Sequence, residues 1–313
     1  MTDLLIKMLP FFLLIGLGFY SGKKGMLSEQ GVIGLNVFVI TFAMPALVIY
    51  AIAPYPLSQV FNAAFFWSYL CAELIVYALC FLLTRWLFKI SIAEAAVLGL
   101  AASWGNVGYM GIAMTNDLFQ GFIAPAVMAT GSDMIITTGI TILLVEYDKN
   151  RAALSPLLLL WALIKRVGTH PFIITLLISL LLSLTGIGIP KLIKPSIAFV
   201  SQAAGPTALF AIGASLALRP LRGDKSQIIS PIALKLFALP LLFLFFGRFI
   251  FELEPQWLTI GLVLCALPTA GNVWVIAQNY RRAVERSAAV ILISTLVSLA
   301  SLLLLLKLLQ VAA

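Results

Sequence analysis

Of the 313 residues, 62% are hydrophobic and 10% are charged, against roughly a quarter charged in an ordinary globular domain. With a mean hydropathy of +1.09, the chain has too few polar side chains to coat a water-facing surface, which excludes a soluble enzyme, a disordered chain and a secreted disulfide scaffold. What remains is an integral membrane protein, whose outside can be as apolar as its core because lipid is its solvent. The net charge of +8 would suggest nucleic acid as a partner of a soluble protein. Here the basic residues sit in short connections between apolar runs, so they read as topology signals and no nucleic-acid partner is expected.

A helix needs about 20 mostly apolar residues to cross a hydrocarbon core of roughly 30 Å, and the sequence holds ten such runs. Leu4–Tyr20 lacks the basic leader and small-residue cleavage site of a signal peptide, so it reads as a first span. Val32–Ile52 follows and contains Pro45; Phe61–Leu83 contains Glu73. Ile92–Met114 contains Gly105 and Asn106, and Phe122–Val145 contains Asp133. Residues 147–169 form a cytoplasmic connecting loop whose apolar stretch Leu157–Ile164, closed by Lys165 and Arg166, is too short to span and reads as interfacial. Five more runs come after it: Pro171–Ile189, Ile197–Leu218, Ile228–Ile250, Trp257–Asn279 and Ser287–Leu309. The three cysteines, Cys71, Cys80 and Cys265, lie inside apolar runs without metal-ligand spacing and read as small core residues.

Positive residues mark the cytoplasmic side. With the N-terminus outside, the inner loops hold Lys23, Lys24, Arg85, Lys89, Lys149, Arg151, Lys165, Arg166, Arg219, Arg222, Lys225, Arg281, Arg282 and Arg286, which makes 14. The other side holds Lys7, Lys191, Lys194, Arg248 and Lys307, which makes 5, and Lys235 falls within a span. Ten helices with both extracytoplasmic termini satisfy this bias.

Ten spans divide into two sets of five, and an odd set necessarily inverts its copy. Residues 1–146 and 170–313 carry matching landmarks. Ala43-Met44-Pro45-Ala46-Leu47 resembles Ala204-Gly205-Pro206-Thr207-Ala208-Leu209, and Gly105-Asn106-Val107 returns as Gly271-Asn272-Val273. The offsets are 161 and 166 residues. The expected fold is therefore an all-α polytopic membrane protein with two inverted five-helix repeats. Gly followed by Asn suits a continuous helix poorly, and Pro268 just before Asn272 frees carbonyls. Helix breaks are expected at both Gly-Asn pairs, with Pro45, Pro206 and Pro268 as further break points. Matched breaks in inverted halves point to a transporter binding site near the midplane. The plainer alternative is that Gly105 and Gly271 only let helices pack closely.

Half-helix N-termini favour an anion, and Ser103, Asn106, Tyr109, Thr269 and Asn272 supply hydrogen-bonding groups beside the breaks. A small organic anion is the expected substrate. Glu73, Asp133 and Lys235 are ionisable groups within spans, each costing roughly 2.5–3.5 kcal/mol at a helix centre. They read either as a buried charge group that orients helices or as a proton-coupling set. Glu73 and Lys235 are 162 residues apart, close to the repeat offset. No cofactor or structural metal is expected. The sequence leaves uniport open beside coupling to H+ or to Na+, the latter with only Asn, Thr, Gln278 and freed carbonyls as ligands.

At this point the residues resemble the auxin efflux carrier family, which includes bacterial malonate- and malate-type permeases and the plant PIN exporters. The resemblance is carried by Gly16-Leu17-Gly18-Phe19-Tyr20, Ala46-Leu47, Glu94-Ala95-Ala96, Asn106-Val107-Gly108-Tyr109-Met110-Gly111-Ile112, Lys235-Leu236 through Leu239-Pro240, and Ala266-Leu267-Pro268. It implies the fold of the bile-acid sodium symporters: a scaffold part, a transport part, and fourth and ninth helices crossing at their unwound middles, with Asn106 and Asn272 holding the anion there. This chain departs from the family at Ala113, where relatives often carry proline, and at Gly105, where some members have proline at or beside the break.

An enzyme is not expected. Asp133 and Asp148 lack a Gly-x-Gly-Asp run, His170 adjoins Pro171 at a helix end, and no metalloprotease or nucleotide-binding motif occurs. The reading is a secondary carrier of a small organic anion in a bacterial inner membrane, with a homodimer compatible. The alternatives are a sodium-coupled symporter of the bile-acid type and a channel.

Overall fold

Lipid offers no partner to a free backbone N–H or C=O, so a spanning chain must satisfy these groups within itself, and helices do so locally. The computed structural model describes residues 2–149, 168–169, 171–218 and 224–309, with side chains from residue 9 onward. His170, Arg151, Arg219, Arg222 and the interfacial stretch Leu157–Ile164 with Lys165 and Arg166 lie outside the described residues, as does the Lys7 side chain. The described residues are helical with no named strand; their one extended pairing is an isolated bridge between Gly105 and Thr269.

The helices are α1 (Thr2–Lys23), α2 (Glu29–Ile52), α3 (Ala63–Leu87), α4 (Ile92–Ser103), α5 (Ile112–Leu118), α6 (Ala124–Lys149), α7 (Pro171–Thr185), α8 (Lys194–Ala217), α9 (Lys225–Ile250), α10 (Pro255–Cys265), α11 (Asn272–Tyr280) and α12 (Val284–Leu308). Among the described residues, six helices are long and apolar enough to cross a membrane: α2, α3 with the turn before it, α6, α8, α9 and α12. Shorter apolar helices occupy Leu9–Lys23, Ile92–Ser103, Pro171–Thr185 and Pro255–Cys265. The runs Ile92–Met114 and Trp257–Asn279 are thus not single helices; each stops and restarts.

Wide π-type turns interrupt α2 at Val39–Ala43, α6 at Asp133–Thr137, and α9 at Leu234–Ala238 and Phe246–Ile250. Two of them explain prolines. A proline ring crowds the carbonyl four residues back; Pro45 and Pro240 each come two residues after a π-turn, whose extra residue makes room. Pro45 is therefore carried within α2 and does not end it, contrary to the expectation of a break there. Pro206 sits just inside Ala204–Ala217, after a turn at Gln202–Ala203. Only Pro268 of the three stands in a non-helical stretch, between α10 and α11.

The chain forms two compact units, one drawing on residues 1–63, 108–128 and 168–218, the other on 64–107, 129–167 and 219–313. Each takes segments from both sequence halves, so the compact units do not coincide with 1–146 and 170–313. In the first unit α1 packs along α8, and α7 and α8 pack on α2. A Cβ added at Gly18 would lie 2.0 Å from the Phe210 carbonyl oxygen, and one at Gly213 would lie 1.9 Å from that of Ile15. The two backbones touch, which only glycine permits.

In the second unit α4 is the buried centre, with Ala93 and every residue from Ala95 to Ser103 buried. Its small residues let α6, α9, α11 and α12 close around it. Beside it, α3 and α6 match polar faces at a constant offset: Tyr69 meets Asp133 and Tyr77 meets Thr141, each pair 64 residues apart. A constant difference means the two helices run in the same direction.

Candidate functional site

The site grows from the two interruptions, both in the second unit. α4 stops at Ser103, and Trp104 turns extended with φ −75° and ψ 109°. α10 stops at Cys265, and α11 restarts at Asn272. The two unwound stretches pair antiparallel: the Asn106 N–H donates to the Pro268 carbonyl at 2.7 Å, and the Ala270 N–H to the Trp104 carbonyl at 3.0 Å. This pairing gives freed backbone groups the partners that lipid cannot provide. Thr269 adds two more bonds, its hydroxyl donating to the Ala101 carbonyl in the last turn of α4 at 2.8 Å and its N–H to Ser294 Oγ of α12 at 3.1 Å. Thr269 is therefore a helix cap, tied down on both sides.

Ser103 and Asn106 differ from Thr269. Both are buried, and among the described residues neither Ser103 Oγ nor Asn106 Oδ1 has a hydrogen-bond partner. Buried polar atoms are nearly always paired, so two orphans within four residues at a helix break set this stretch apart. Gly271 and Asn272 are partly exposed, and a Cβ at Gly271 would meet nothing within 4 Å, so open space adjoins the start of α11. Tyr109 is buried in the first unit.

The three ionisable groups of the spans are completely buried: Glu73 on α3, Asp133 opening the π-turn of α6 and Lys235 within the first π-turn of α9 are each 0% exposed. Asp133 accepts from the Tyr69 hydroxyl at 3.1 Å, and Glu73 Oε2 accepts from Ser132 Oγ at 3.0 Å. The two carboxyls interact with each other and with the Lys235 ammonium. Lys235 Nζ itself donates to the Cys265 carbonyl, the last of α10, at 2.7 Å. Residues far apart in sequence thus form a single buried group adjoining the break.

The sequence reading missed Tyr69, Ser132 and Ser294, the partners of this group and of Thr269. Tyr69 was findable, since it precedes Glu73 by one helical turn and so shares its face. Also missed was a polar clamp at one end of the second unit. Ser91 and Glu94 form a capping box at the start of α4, Arg286 of α12 donates to Glu94, and the same guanidinium donates to Gln227 of α9. Among the described residues no group of His, Cys, Asp and Glu is arranged to hold a metal ion.

A helical membrane protein with a paired double break and buried ionisable groups has the features of a transporter. The family model described as "Membrane transport protein" matches residues 3–306, and the chain belongs to that family, the auxin efflux carriers. It is 30% identical over 316 residues to a Rhizobium meliloti protein named "Putative malonate transporter", covering 96% of this chain and 94% of that one. It is 24% identical over 309 residues to "Uncharacterized transporter YfdV" of Escherichia coli K12, covering 95% and 94%.

Proposed function

We propose that this chain is a secondary active carrier of a small organic anion, a carboxylate, that binds at the paired break and is exposed alternately to the two sides of the membrane. The observation that carries this reading is the pair of unpartnered buried groups, Ser103 Oγ and Asn106 Oδ1, beside the open start of α11 at Gly271 and Asn272. A serine hydroxyl donates to a carboxylate; Asn106 Oδ1 is itself an acceptor, so the Asn106 amide would bind the anion by rotating its NH2 into that unpartnered position. The start of α11 adds the partial positive charge of a helix N-terminus. The relative from Rhizobium meliloti makes malonate the first substrate to try.

The architecture that fits this reading is ten spans in two inverted repeats, placed in a bacterial inner membrane with both termini outside. A homodimer is compatible with it. Glu73 and Asp133 are the proposed proton carriers, because two carboxyls beside each other in a dry site share a proton more readily than they hold two charges. Their hydrogen-bond partners Tyr69 and Ser132 hold them in place.

Counterflow in proteoliposomes tests the site. Vesicles preloaded with unlabelled mono- and dicarboxylates should take up labelled malonate saturably, and Asn106→Ala/Asn272→Ala should lose that exchange while eluting as a folded protein. Full-rate exchange by the double variant would remove the break as the binding site. Flux that never saturates would instead indicate a channel, and uptake that needs a sodium gradient a symporter of the bile-acid type.

A further inference from the structure

Two helices end facing the break, α4 at Ser103 and α10 at Cys265. The last carbonyls of a helix have no partner within it and carry partial negative charge. At membrane depth water does not satisfy them. Most are bonded locally: Leu100 accepts from the Trp104 N–H, Ala101 from Thr269, and Leu264 from the Leu267 N–H at 3.3 Å. The Cys265 carbonyl accepts from Lys235 Nζ. The lysine tip also lies against the other break. A Cβ at Gly105 would sit 3.1 Å from Nζ, 3.4 Å from Cε and 3.4 Å from the Leu264 carbonyl oxygen. Gly105 is not in the left-handed region, so it is glycine for room and not for backbone freedom: the space of its missing side chain is where the lysine head passes.

The geometry points to Lys235 as the resident cation of the crossover, a positioning residue whose ammonium caps the carbonyl end of α10, fills the space beside Gly105 at the end of α4, and so holds the two breaks together in their anion-accepting shape. A tethered ammonium supplies the charge that a loose alkali ion would otherwise bring to such carbonyls, so anion recognition needs no sodium. The same charge faces Asp133 and Glu73, which joins the acid pair to the break through a single side chain. The role in anion recognition rests on the proposed carrier reading; the capping role does not.

Removing the side chain beyond Cβ leaves a space with the size and charge preference of n-propylammonium. Purified Lys235→Ala should melt roughly 10 °C below the native protein and recover in propylammonium chloride but not in choline chloride, with no carboxylate present. In counterflow its KM for malonate should rise about tenfold, as expected for one charge lost from a partly dry site, and fall back with propylammonium. The native protein should melt and transport equally in sodium and choline salts. Lys235→Met with native melting and native KM would overturn the proposal, as would equal recovery in choline. Should Lys235→Ala yield no folded protein, Gly105→Ala, which crowds the ammonium from the other side, replaces it. Its loss in melting temperature should be non-additive with that of Lys235→Met, and additive losses overturn the capping role. Normal melting recovery without malonate exchange by any variant or by the native protein would count against the substrate alone.

Discussion

Asp133 and Glu73 are carboxyls fully removed from water, and such groups persist in membranes where they have partners and a task. If they carry protons, Asp133→Asn, which keeps shape and removes the titrating group, should retain malonate counterflow while losing the response to an imposed pH gradient. An unchanged response would end their role in coupling. Tyr69→Phe removes the hydroxyl that bonds Asp133. It should cost about 1–3 kcal/mol, the penalty of an unsatisfied buried acceptor, read as a drop in thermal stability in detergent. The three charges were legible in the sequence because an ionisable residue in an apolar run stands out. Their partners were not, since a serine or tyrosine in a span looks unremarkable until a neighbouring helix brings an acid against it. Thr269 is a different case: read from the sequence as a hydrogen-bonding group beside the breaks, its hydroxyl donates to the Ala101 carbonyl, a partner that local sequence does not reveal.

Among the elements, α1 and α8 hold the first unit through backbone contact at Gly18 and Gly213. Alanine at Gly213 forces its Cβ into the Ile15 carbonyl, and neither backbone can yield without parting the helices. Gly213→Ala should cost about 3 kcal/mol or more and sharply reduce the folded yield. Gly16→Ala is the control two residues from Gly18: a Cβ there meets nothing within 4 Å, so it should be neutral or stabilise α1 by about 0.5–1 kcal/mol. Equal effects of the two substitutions on melting temperature would refute this packing. The sequence shows both glycines alike, because a lipid-facing glycine and an interface glycine differ only in what stands opposite. Helix continuity was legible only in part. A Gly-Asn pair breaks its helix, whereas Pro45 does not, because the π-turn at Val39–Ala43 absorbs it, and nothing in a single sequence marks where a turn widens.

For the molecule as a whole, the distribution of lysine and arginine makes a testable statement about sidedness. In a background with Cys71, Cys80 and Cys265 replaced by alanine, a cysteine at Ser58, exposed between α2 and α3, should react with an impermeant maleimide added to intact cells. A cysteine at Met26, which is 72% exposed between α1 and α2, should react only after the membrane is opened. The reverse pattern would invert the orientation. Composition alone determined that the chain is a helical membrane protein, because solvent polarity acts on every residue and so leaves its mark on the average. The positions of the two Gly-Asn pairs, Pro268 and the buried charges were likewise visible, since each breaks a local rule of helices in lipid. Only the tertiary structure decided that the two breaks pair through Gly105 and Thr269, that Thr269 is a cap while Ser103 and Asn106 keep unpartnered atoms, and that Lys235 reaches the Cys265 carbonyl. Those are contacts between residues 30 to 168 positions apart, and hydrogen-bond partnership at such separations is set by how helices pack, which local sequence does not encode.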